Sequence, residues 1–69
     1  MNEFFNVIGQ LKEKNPNIEV VLRNEAGHKF WRILIFNSGT EVFQCMGDNV
    51  EMLFRNAYSK LQVHRKELL

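Results

Sequence analysis

The sequence has one cysteine, one proline and a net charge of only +1, and each scarcity removes a class of function. Cys45 stands alone, so no disulfide can form within the monomer, and a disulfide-stapled secreted scaffold is excluded. A reducing, cytoplasmic compartment is the expectation that follows. Structural zinc needs four ligands, usually in close Cys or His pairs. Cys45, His28 and His64 are all the thiol and imidazole the chain offers, so no metal or other cofactor is expected. The nine basic and eight acidic residues are interleaved rather than blocked, a weak electrostatic footprint for nucleic acid or an anionic membrane. The longest apolar run, Ile33-Leu34-Ile35-Phe36, is far short of the ~20 residues that cross a bilayer as a helix. Met1-Asn2-Glu3-Phe4-Phe5 lacks a basic stretch ahead of its apolar residues, so neither signal peptide nor membrane anchor is expected. HExxH, CxxC, GxSxG, P-loop and GxGxxG patterns are missing, and with them the common signatures of metalloprotease, redox, hydrolase and nucleotide chemistry.

What is present is a globular composition in a short chain. Hydrophobic residues at 45% and charged residues at 25% match folded domains, so disorder is not expected. The 69 residues suit a single domain. A domain of that size hides only about 60% of the surface its unfolded chain exposes, so the core is thin and a partner surface would supplement it. Turn signals divide the chain into five elements. Asn2 can cap a first helix whose face is Phe4, Val7, Ile8 and Leu11, and Asn15-Pro16-Asn17 ends it. Strands are expected over Ile18–Arg23, Lys29–Phe36 and Thr40–Met46, separated by a turn at Asn24-Glu25-Ala26-Gly27 and a loop at Asn37-Ser38-Gly39. After Gly47, Asp48 and Glu51 form a capping-box pattern, and Val50, Leu53, Phe54, Ala57, Leu61 and Leu68 give the buried side of a long last helix. The expected fold is α+β, in the order α-β-β-β-α, with a three-stranded antiparallel sheet and both helices on one face.

Side chains alternate across a strand, so pairing arithmetic sorts the two faces of the sheet. A four-residue first turn sets Arg23 opposite His28, Val20 opposite Trp31 and Glu19 opposite Arg32. A three-residue second loop sets Ile33 opposite Phe43 and Trp31 opposite Cys45. One face then collects Ile18, Val20, Leu22, Trp31, Ile33, Ile35, Phe43 and Cys45, which belongs under the helices. Trp31, with apolar strand neighbours, is the expected anchor of that core. The opposite face has a polar row, Glu19–Arg32–Gln44, in which an ion pair is feasible. Around that row lie Phe30, Leu34, Phe36, Val42 and Met46, and the same face also holds Val21 and Arg23. Two helices cannot cover both faces of the sheet, and this second face is more apolar than a strand surface facing water. A contiguous apolar patch of this kind marks a binding surface.

The residues available for chemistry converge poorly. Cys45, His28 and Asp48 lie near one end of the sheet, and a cysteine nucleophile needs a base beside it. Alternation points Cys45 into the core and His28 outward, so no catalytic residues are assigned and an enzyme is not expected.

The element order and length resemble the double-stranded RNA-binding domain across nearly the whole chain. Gly27-His28-Lys29-Phe30 looks like that family's first hairpin loop, where a histidine precedes a phenylalanine, and Glu51, Ala57 and Leu61 fall where its last helix carries similar residues. The resemblance implies the topology and, as an alternative function, nucleic-acid binding. The basic residues available for it are Lys29 on the first hairpin and Lys60, Arg65 and Lys66 on the last helix, where the helix dipole alone also accounts for basic side chains. Where the family holds phosphates with lysines, this chain reads Asp48, Asn49 and Val50. The favoured expectation is a small non-catalytic protein-binding or regulatory module. It acts on a protein partner, on itself as a homodimer, or both, through Phe30, Arg32, Leu34, Phe36 and Val42. Motif-free domains of this size are common among phage and mobile-element proteins that inhibit a host component, so an inhibitor of that type is the expectation from size.

Overall fold

The computed structural model describes residues 2–24, 26–27 and 29–68, with the backbone alone for residues 65–68. The expected order holds: α1 spans Asn2–Lys14, β1 Ile18–Asn24, β2 Trp31–Asn37, β3 Thr40–Gly47 and α2 Val50–Leu68. The strands form one antiparallel sheet in the order β1-β2-β3, so β2 is central and β1 and β3 are edges.

Helix α1 buries Phe4, Val7, Ile8 and Leu11, the residues its spacing puts on one face. Its end follows from Pro16. The Asn15 N–H still donates to the Leu11 carbonyl at 2.9 Å, and the Ile18 N–H then donates to the Asn15 carbonyl at 3.1 Å, turning the chain about Pro16 into β1. The Ser38 N–H donates to the Asn17 carbonyl at 3.2 Å and ties the β2–β3 hairpin to the start of β1.

Both connections between strands differ from the expected ones. Asn37 pairs with Thr40, which leaves a two-residue turn of Ser38 and Gly39 in place of a three-residue loop. Their φ angles of 52° and 83° suit a hairpin turn whose twist matches the strands. The first connection is longer than four residues. β2 begins at Trp31 rather than Lys29, and Asn24 Nδ2 donates to the Phe30 carbonyl at 3.1 Å to close the loop's base. Val20 therefore faces Ile35 rather than Trp31, a slide of four residues. Ile33 faces Cys45 rather than Phe43, a slide of two. Both slides are even up to the bulge described next, so the face assignments there survive while the cross-strand partners change, whereas Phe30 falls outside β2 and loses its place on the face. Between Ile35 and Phe36 the β2–β3 register slips by a bulge: Phe43 stays opposite Ile35, Glu41 comes opposite Phe36, and Val42 is the extra residue.

The core lies between the sheet and the helices. Ile18, Ile33, Ile35, Phe43 and Cys45 pack with the α1 residues and with Leu53, Phe54, Ala57 and Leu61 of α2. Helix α2 lies across β2 and β3, and α1 packs beside it. Edge strand β1 is left poorly covered, so Leu22, expected in the core, is 44% exposed, and Val20 is only partly buried. Trp31 is also corrected. It sits at the end of the sheet between Asn24 and Gly47, partly buried against the margin of the cluster, while Phe4, Leu11, Ile33, Ile35, Leu53 and Leu61 supply the fully buried bulk.

The cap of α2 is Asn49, not Asp48. Asn49 Oδ1 accepts the Met52 N–H at 3.1 Å, and the Asn49 carbonyl accepts the Leu53 N–H at 2.8 Å. Those two bonds define an N-cap residue, which places Asp48 one residue outside the helix. The expected side-chain position of Leu68 lies outside the described residues.

Candidate interaction surface

The helix-free face of the sheet is built from alternate residues of three strands, and the register arranges them in three rows. The first row is Arg23, Arg32 and Met46. The second is Val21, Leu34 and Gln44. The third is Glu19, Phe36 and Glu41, with Val42 beside Glu41. The expected polar row of Glu19, Arg32 and Gln44 does not exist, because a four-residue slide on β1 and a two-residue slide on β3 put each of these on a different row. Glu19 and Arg32 are about 13 Å apart along the strands at a rise of ~3.3 Å per residue, too far for an ion pair.

The face has an apolar centre flanked by charge of opposite sign. Leu34 is 3% exposed although no helix covers it and it stands outside the main core cluster. It occupies the middle of the central strand, with Val21 and Gln44 opposite it on the two edge strands and Arg32 and Phe36 two residues away along β2. Val21, Arg32 and Phe36 around it are half-buried, and Val42 and Met46 are exposed. Arg23 lies directly opposite Arg32, which gathers positive charge at that end of the face. At the other end Glu19 and Glu41 flank Phe36 and are exposed. Among the described residues Arg23, Glu19 and Glu41 make no side-chain hydrogen bond or ion pair.

Of the residues singled out from sequence, Arg32, Leu34, Phe36 and Val42 come together on this face. Phe30 is half exposed and precedes β2, in the loop rather than the strand. Two members of the surface were missed as partners. Glu41 reaches the Phe36 row only through the bulge, which no residue type announces. Arg23 was assigned to the face by alternation, but its pairing with Arg32 depended on the length of the first loop.

The candidate nucleic-acid residues are scattered. Lys29 is exposed in the first loop and Lys60 is exposed on α2, while the side chains of Arg65 and Lys66 lie outside the described residues. The thiol–imidazole idea gains nothing: Cys45 is buried under the helices, Asp48 is exposed, and His28 lies outside the described residues. Among the described residues no three His, Cys, Asp or Glu side chains are grouped as metal ligands would be, and no helix is long and apolar enough to cross a membrane.

On the helix side, the uncovered part of β1 leaves a groove of about 380 Å³ between α1 and β1. Phe5, Ile8, Ile18, Val20, Leu22 and Phe54 line it. Sequence alternation put Leu22 on this side but could not show that α1 packs toward α2 and leaves it bare.

No family model, curated protein or solved structure matches the chain. The likeness to the double-stranded RNA-binding domain therefore stands on the element order and the few hairpin and last-helix residues named for it in the sequence.

Proposed function

We propose that this protein is a non-catalytic protein-binding module that acts by occupying a partner surface with the helix-free face of its sheet. The observation that carries this reading is an apolar centre of Val21, Phe36 and Val42 on a face no helix covers, with exposed Arg23 at one end and exposed Glu19 and Glu41 at the other. Arg23 at one end offers a cation to an anionic group on a partner, and Glu19 and Glu41 at the other end offer carboxylates to a cationic one. The half-buried Val21 and Phe36 and the exposed Val42 supply apolar area that gains from being dried, and the charged ends set orientation. Regulation by occupancy, including inhibition of a host component, needs no more chemistry than this.

The test is affinity capture from a lysate of the organism of origin, treated with nuclease, using wild type and Phe36→Lys. Lysine suits position 36 because Glu19 and Glu41 flank it, so the sheet is kept while the apolar centre is lost. A protein recovered by wild type and lost by the folded variant is the expected result. Recovery that disappears with nuclease instead, and falls with rising salt, would replace this reading with nucleic-acid binding.

A further inference from the structure

We propose that the occupant of the helix-free face is a second copy of this chain, related by a two-fold axis that lies in the interface and runs across the strands. This rests on the protein-binding reading of that face and names its partner. The argument is charge complementarity. Along β1 the face carries Arg23 at one end and Glu19 at the other, and the adjoining strands repeat the polarity with Arg32 and Glu41. Arg23 and Glu19 are four residues apart, about 13 Å at ~3.3 Å per residue, so they cannot neutralise each other within a subunit.

Two face-to-face arrangements obey two-fold symmetry. An axis along the strands sets the arginine end of one subunit against the arginine end of the other and brings four guanidinium groups together. An axis across the strands reverses the partner end to end. Arg23 then meets Glu19 of the partner subunit, twice by symmetry, and Arg32 stands over Phe36 of the partner subunit, one strand spacing of about 4.8 Å from the partner subunit's Glu41. The Leu34 row lies at the axis, where the half-buried Val21 meets the partner subunit's Val21. The same rows that repel in one arrangement attract in the other, so the charge pattern selects the antiparallel sandwich. Sheets stacked this way sit about 10 Å apart, a distance that Phe36 and the Arg32 side chain opposed to it can fill. Three short strands make a small interface, so the dimer is weak, with a dissociation constant of roughly 10 µM.

Sedimentation equilibrium of the full chain from 1 to 500 µM, roughly bracketing that constant, tests the proposal. Arg23→Glu makes the β1 face wholly acidic and Glu19→Arg makes it wholly basic. Each change touches an exposed side chain, and circular dichroism of each variant establishes that it is folded. Each alone should weaken self-association at least tenfold. An equimolar mixture of the two, and the double variant carrying both changes, should each recover wild-type association to within about threefold. High salt should weaken the wild-type dimer. A wild type that stays monomeric at the highest concentration, single variants that associate as well as wild type, or a mixture that fails to associate would each overturn the proposal. Capture of a different protein that depends on Phe36, together with a monomeric wild type, overturns the self-association and leaves the protein-binding reading standing. Loss of both overturns both.

Discussion

Phe4 and Phe5 are adjacent in sequence, alike in chemistry and opposite in burial, and truncating each to alanine separates packing from composition. Phe4 is fully buried, with its ring edge-on to Phe54 at 5.4 Å and to Phe5 at 5.5 Å. Phe5 is 50% exposed at the mouth of the α1–β1 groove and touches Phe54 at 5.5 Å. Phe4→Ala removes an aromatic ring from a site closed by α1, α2 and the sheet and leaves a cavity, which costs about 3–5 kcal/mol. Phe5→Ala removes a ring already half in water and opens no enclosed void, so about 1 kcal/mol is expected, half the value of full burial. A chain of this length has roughly 3–10 kcal/mol of total stability, so Phe4→Ala leaves little margin. Urea denaturation followed by far-UV circular dichroism and by Trp31 fluorescence is the assay. With a slope near ~1 kcal/mol/M, the midpoint should fall by about 3 M or more for Phe4→Ala and by about 1 M for Phe5→Ala. Equal shifts for the two variants would refute the packing of α1 against α2 described above.

Two further substitutions probe local structure. Asn49→Ala removes the Oδ1 that caps α2 and should cost about 1 kcal/mol, lowering the melting temperature by about 4–8 °C, whereas Asp48→Ala should cost only a few tenths of a kcal/mol. The reverse order in a thermal melt would return the cap to Asp48. Gly9 lies exposed within α1 with nothing within 4 Å of a methyl group added there, so Gly9→Ala should raise stability by about 0.5–1 kcal/mol, and a lower melting temperature would contradict a regular helix at that point.

Much of the fold was legible in the sequence because its signals are local. The 3.6-residue spacing of Phe4, Val7, Ile8 and Leu11 and the Leu53, Phe54, Ala57, Leu61 set identified the buried helix faces. The two-residue alternation of the strands sorted Ile33, Ile35, Phe43 and Cys45 from Arg32, Leu34 and Gln44, and it did so despite a wrong register. Alternation depends only on whether a slide is even or odd, and for these residues, all before the bulge, both slides were even.

What tertiary structure decided is what depends on distant partners. The first loop, its base closed by Asn24 and Phe30, set which residues of β1 meet which of β2, and so placed Arg23 beside Arg32. The bulge after Ile35 brought Glu41 to the Phe36 row, and no pattern of residue types marks it. Asp48 and Asn49 are both good cap residues, and the point where α2 meets the sheet selected Asn49. The lie of α2 over β2 and β3 left Leu22 in the open and put Trp31 at the core's margin, although both are apolar and on the correct face. Hydrophobicity says that a side chain gains by leaving water. Only the placement of the covering elements says whether it does, and on this chain two helices are too few to cover three strands on both sides.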